Sequence, residues 1–230
     1  FLNPITHQGH TTSDTISIFK VSIKIIIGDI VVIKESIMKS ICVYAGSASG
    51  NKKEYKEKAI ELGQRIAKEG CSMIYGGGSN GLMGVTADAA LSQGAKVTGI
   101  ITEQLNAIEV GHKGLTKLEI VSSMHERKAR MAELSDAIIS LPGGVGTWEE
   151  LFEALAWNQL GFYSKPIILF NVDGYYSSLY QFSKESVTQG FLPNSTFQEL
   201  FISEDLTEIF DFISHFKKKD GKDWYKRLER

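Results

Sequence analysis

The stretch CSMIYGGGSNGLMGVTADAALSQGAKVTGII, Cys71 to Ile101, decides the fold. A short apolar run ends at Tyr75, glycines follow, a helix-forming segment closes at Gly94, and a second apolar run begins at once. Strand, glycine turn, helix and strand in that order join two parallel strands through a crossover helix. The same alternation extends in both directions. Upstream stand SICVYA and the amphipathic KEYKEKAIELGQRIAKEG, which ends at Gly70. Downstream, beyond a polar loop, come LEIV, the helix MHERKARMAEL, the strand AIISL and a helix expected to start at Thr147. PIILF, YYSSLYQFSKESVTQG, LFIS and DLTEIFDFISHF complete the series. Short apolar strands alternating with helices predict an α/β fold, a doubly wound, Rossmann-like parallel sheet in a single domain. Ligands of such sheets sit beyond the carboxyl ends of the strands.

Composition fits one soluble core: 230 residues, 43% hydrophobic and 23% charged. A formal net charge of -2 leaves no electrostatic footprint for nucleic acid. Cys42 and Cys71 lie inside apolar runs and read as core residues in a reducing cytoplasm. The histidines are scattered without metal-site spacing, so no metal is expected, and His125 is expected at the surface.

Residues 1–37 read as an extension outside the core. ISIFKVSIKIIIGDIVVIKES alternates and then turns at Gly28-Asp29, a hairpin signal. Its longest uncharged run is far shorter than the roughly 18 residues of a spanning helix, and no membrane association is expected. MKSICVYAGSASG, from Met38, has the look of a natural start, with the α/β domain running over 38–219 and a basic tail over 220–230.

Two glycine turns stand where a ligand would bind. In YGGGSNGLMG, Gly76, Gly77 and Gly78 allow a close approach of backbone to an anion, and the spacing fits G-x-G-x-x-G. That pattern raises a dinucleotide-dependent oxidoreductase, with NAD as cofactor and Glu103 as its ribose acid. The second turn, Gly143-Gly144-Val145-Gly146-Thr147, lacks the lysine of a triphosphate loop, and two such turns suit a nucleoside 5'-monophosphate. On the helix SSMHERKARMAEL, Met124, Met131 and Leu134 form an apolar stripe that Arg127 shares. Its guanidinium either meets an anion there or snorkels to solvent. Lys128 lies at the edge of that face, and Ser123 with Glu126 reads as a capping box. Thr147-x-x-Glu150 carries two readings: a second capping box, or a catalytic carboxylate.

Taken together, SMHERKARMAELSDAIISLPGGVGTWEE and YGGGSNGLMG closely resemble the LONELY GUY family, the cytokinin riboside 5'-monophosphate phosphoribohydrolases often mislabelled as lysine decarboxylases. The paired motifs RKxxM and PGGxGTxxE carry the resemblance, which spans about residues 38 to 215. It implies hydrolysis of the N-glycosidic bond of an N6-modified adenosine monophosphate, without metal or organic cofactor, by a homodimer with sites near the subunit interface. Position by position it makes Arg127 and Glu150 catalytic and puts Lys128 beside the substrate. Gly144 to Thr147 would hold the 5'-phosphate, with Gly143, Glu149 and Glu109 in the substrate-binding set. Beside the hydrolase stand the NAD oxidoreductase and a nucleotide-sensing module that binds without turnover.

Overall fold

The structure, a computed structural model, describes residues 20–27, 30–37, 40–109 and 111–217. The turn at Gly28-Asp29, the side chain of Glu109 and the basic tail lie outside the described residues. Strands β1 (Lys20–Ile27) and β2 (Ile30–Ile37) pair antiparallel as a separate two-stranded sheet, with Ile27 opposite Ile30.

The main sheet has seven strands: β3 (Ser40–Tyr44), β4 (Ser72–Tyr75), β5 (Val97–Thr102), β6 (Lys117–Val121), β7 (Ala137–Ser140), β8 (Ile167–Phe170) and β9 (Leu200–Ser203). Their order is β6-β5-β4-β3-β7-β8-β9, and every pair is parallel. Alternate residues of the central strands enter opposite layers. Ile41 and Val43 join one apolar cluster with Leu62 and Ile66 of α1 (Lys53–Lys68), Leu82 of α2 (Gly81–Ser92) and Phe210 of α8 (Leu206–His215). Cys42 and Tyr44 face the other cluster, with Met131 of α4 (Met124–Glu133) and Leu151 of α5 (Val145–Leu160). Strands buried on both faces must be apolar throughout, which is why they read as runs rather than alternations.

Two short helices, α3 (Glu103–Glu109) and α7 (Asn194–Phe197), escaped the sequence reading. Helix α3 follows β5 directly, started by the Thr102 hydroxyl, which accepts from the Leu105 amide at 3.2 Å. Glu103 is exposed on its first turn. The helix α6 (Ser177–Thr188) is followed by the single turn α7 before β9. Both cysteines are buried thiols, and burial pushes the Cys71 thiol up to about 11. No described helix is long and apolar enough to cross a membrane.

Candidate active site

The chain builds β3 to β6 outward on one side, then returns to lay β7 against the other side of β3. That reversal opens a crevice between the loops after β3 and β7, the place where doubly wound sheets take ligands. A cavity of about 290 Å³ lies there, lined by Gly46, Ser47, Ser49, Gly143, Gly144 and Tyr175 among others. The two loops touch: the Gly46 amide donates to the Pro142 carbonyl at 3.1 Å. A Cβ on Gly143 would stand 2.2 Å from the Thr147 hydroxyl oxygen and 2.9 Å from the Gly46 nitrogen, so only glycine lets the loops close.

The two glycine turns differ at their helix N-termini. In α2 the Leu82 and Met83 amides donate to the Ala48 and Gly46 carbonyls, at 3.4 and 3.3 Å. Those donors are spent on the first loop rather than offered to an anion. Gly76, Gly77 and Gly78 instead pack inward: Gly77 lies against Leu118 and Ile101, and Gly78 bridges Gly111. Helix α5 is capped by Gly144, which has no side chain to bond the first amides. Its first ladder bond is Trp148 N–H to the Gly144 carbonyl at 3.0 Å, so the amides of Val145, Gly146 and Thr147 precede the ladder at the crevice. The dinucleotide reading of YGGGSNG therefore loses its anion-binding turn. The loop AGSASG after β3 lines the crevice, and its small residues between a strand and a helix were the signal that could have found it.

The capping-box reading of Glu150 is corrected by the same geometry. Helix α5 begins at Val145 with Gly144 as N-cap, so Thr147 is already inside the first turn and Glu150 a turn further on. Glu150 is buried, and its Oε1 accepts from Arg127 Nη1 at 3.3 Å. Arg127 does not snorkel. It is 6% exposed, with Nε donating to the Ile100 carbonyl at 3.0 Å and Nη2 to the Gly76 carbonyl at 3.3 Å. Three acceptors in three directions use the planar fork as an ammonium could not. Gly76 is bare for this reason: a Cβ there would sit 2.0 Å from Arg127 Nη2. Gly76→Ala is expected to displace the guanidinium and lower turnover at least tenfold, with overpacking costing about 1–3 kcal/mol. Kinetics and a melting curve on that variant check it, and wild-type turnover would refute the packing argument.

Behind the pair stand Cys42 and Tyr44. Burial raises both groups, and the negative charge of Glu150 adds in the same direction. Lys128 is buried beside Arg127 and ion-pairs both Glu149 and Glu153 of α5. Burial pulls its ammonium down, and the two carboxylates outweigh that, so the net shift is upward. Ser123 caps α4 as expected, accepting from the Glu126 amide at 3.2 Å. The Glu126 carboxylate reaches instead to the Ser122 amide and hydroxyl, at 2.9 and 2.8 Å, which lowers its protonation range. Met124, expected in the apolar stripe, is exposed at the start of α4. His125 is exposed.

Known proteins resemble this chain in sequence and in fold. A family model described as "Possible lysine decarboxylase" matches residues 83–213. A cytokinin riboside 5'-monophosphate phosphoribohydrolase of Arabidopsis thaliana is 42% identical over 196 residues, covering 83% of this chain and 92% of the relative. One from Rhodococcoides fascians is 43% identical, over 73% of this chain and 85% of its own. Among solved structures, the molybdenum cofactor carrier protein of Chlamydomonas reinhardtii superimposes with a TM-score of 0.57 at 19% identity, over 76% of this chain and 94% of that one; the likeness is one of fold. With the arginine and glutamate of RKxxM and PGGxGTxxE paired in one buried site, and relatives matched over most of their length, the chain belongs to the LONELY GUY family of cytokinin riboside 5'-monophosphate phosphoribohydrolases.

Proposed function

We propose that this chain hydrolyses the N-glycosidic bond of N6-modified adenosine 5'-monophosphates, releasing the free base and ribose 5-phosphate. The observation that supports it most is the buried Arg127–Glu150 pair at 3.3 Å. Cleavage of such a bond builds positive charge on the ribose, and a fixed carboxylate stabilises it or takes a proton from the attacking water. Glu150 fills that role. Arg127 supplies the counter-charge that a buried carboxylate requires and sets its orientation. The amides of Gly143 to Thr147 receive the 5'-phosphate at the start of α5, and the bound phosphate positions the sugar. Lys128, clamped to Glu149 and Glu153, holds α4 against α5 and borders the substrate. Glu109 belongs to the same substrate set by family resemblance. The reading calls for no cofactor, and we place the reaction in the cytoplasm.

Incubation with AMP and with isopentenyladenosine monophosphate, followed by chromatography for free base, tests the proposal. Release of base from either supports it. Nucleotide binding without release would make the chain a sensing module, and binding of NAD in place of the monophosphates would restore the oxidoreductase.

The working unit is a homodimer. Val145, Trp148 and Phe152 recur along one side of α5, 73%, 41% and 41% exposed, and Met124 of α4 is exposed as well. An apolar stripe of this kind next to a site marks an association surface. Trp148→Glu combined with Phe152→Glu is expected to convert dimer to monomer in light scattering. An unchanged mass would move the interface elsewhere.

A further inference from the structure

Residues 171–177, after β8, form a strap across the crevice. Among the described residues Asp173 is the non-glycine residue in the left-handed region, at φ 50°, and Gly174 follows at φ 71°. This turn brings Tyr175 and Tyr176 back toward the loop after β7. Asn171 secures it, accepting from the Tyr176 amide at 2.7 Å and donating to the Ser177 hydroxyl at 3.1 Å. Asp173 ion-pairs with Lys52 at the start of α1, tying the strap to the opposite wall.

Both phenols act on one short stretch. Tyr176 donates its hydroxyl to the Leu141 carbonyl at 2.7 Å, and Tyr175 donates to the Gly143 carbonyl. Between them the Pro142 carbonyl accepts from the Gly46 amide at 3.1 Å. Every carbonyl from Leu141 to Gly143 is thus held by a donor before α5 begins. The Gly143–Gly144 peptide links two residues without side chains, so side-chain sterics alone do not fix its plane. In a trans peptide the carbonyl and the following N–H point in opposite directions, so fixing the Gly143 oxygen also fixes the Gly144 N–H. A peptide left free to flip would turn an oxygen where the nitrogen stood and repel an anion. The Tyr175 ring lines the cavity, edge-on to Tyr55 at 6.1 Å and to Tyr176 at 4.9 Å, which holds its hydroxyl in place.

We propose that Tyr175, backed by Tyr176, is a positioning residue for phosphate recognition, pinning the Gly143 carbonyl so that the loop keeps its amides available to a phosphate monoester. The inference rests on the nucleotide reading of the crevice given above. Tyr175→Phe keeps the ring and removes the hydroxyl. Ribose 5-phosphate is expected to bind this variant at least fivefold more weakly than wild type, while ribose binds both alike. KM for AMP should rise by a similar factor with kcat changed less than twofold. Tyr176→Phe approaches the same loop through Leu141 and should shift ribose 5-phosphate in the same direction. Equal ribose 5-phosphate affinity in wild type and both variants overturns the proposal. A wild-type protein that binds ribose 5-phosphate no better than ribose overturns the phosphate site and this proposal together. One that binds it but hydrolyses no nucleotide sinks only the hydrolase, and the tyrosine comparison then still decides the proposal.

Discussion

Glu150→Gln is expected to fold, to bind nucleotide, and to lose about a hundred- to ten-thousandfold in kcat. Glutamine has the same shape and still offers an oxygen to Arg127 Nη1, so the geometry of the buried contact at 3.3 Å survives. It cannot carry negative charge toward a cationic ribose or take a proton from water. Stability falls as well, because a bond between ions becomes a bond to a neutral amide. A cost of about 1–3 kcal/mol corresponds to roughly 2–12 °C in Tm for a domain of this size. Single-turnover kinetics with isopentenyladenosine monophosphate and a melting curve measure the two effects separately. If glutamine supports the wild-type rate, Glu150 is a packing partner of Arg127 and the half-exposed Glu149 becomes the carboxylate to examine.

Arg127→Ala has the larger structural effect. It removes the guanidinium beside the Glu150 carboxylate and strips the Ile100 and Gly76 carbonyls of their donor. Breaking one side of a buried ion pair costs about 3–5 kcal/mol, enough to lower Tm by roughly 6–20 °C. Arg127→Lys restores the charge with one nitrogen in place of a fork. It is expected to lower kcat/KM by about ten- to a thousandfold, roughly 1.4–4 kcal/mol of transition-state binding, in a protein that melts above the alanine variant. A lysine variant with wild-type kinetics would show that the charge alone suffices.

The doubly wound fold was legible because buried parallel strands must be apolar on both faces, and SICVY, AIIS and IILF could be nothing else. Glycines marked the turns, yet their purpose was only half legible. YGGGSNG fits an anion-binding pattern, whereas in the fold Gly76 makes room for an arginine from α4 and the α2 amides bond the loop after β3. Both facts depend on partners distant in sequence. The pairing of Arg127 with Glu150 was open for the same reason, since helical periodicity turns Arg127 inward without saying what it meets. Thr147-x-x-Glu150 misled because spacing alone does not locate an N-cap; Gly144, without a side chain, starts the helix earlier. Tyr175 and Tyr176 gave no signal, because a tyrosine in an apolar stretch reads as core until its hydroxyl is seen to have a carbonyl.

The position of β3 has a consequence for how the molecule comes into being. The ribosome delivers β3, β4, β5 and β6 before β7, so the first half-sheet emerges with β3 at its open edge. That edge carries Ile41, Cys42 and Val43, all essentially inaccessible once folded, and it presents unpaired amides and carbonyls to any other nascent chain. Only when Ala137 to Ser140 arrives is the edge sealed, with Asp136 accepting from the Ser40 amide and hydroxyl at 3.1 Å each. One wall of the crevice follows β3 and the other follows β7, so a chain truncated between α4 and β7 has an aggregation-prone edge and no crevice at all. Protection of the β3 edge and the opening of the crevice therefore both wait for the same strand, β7.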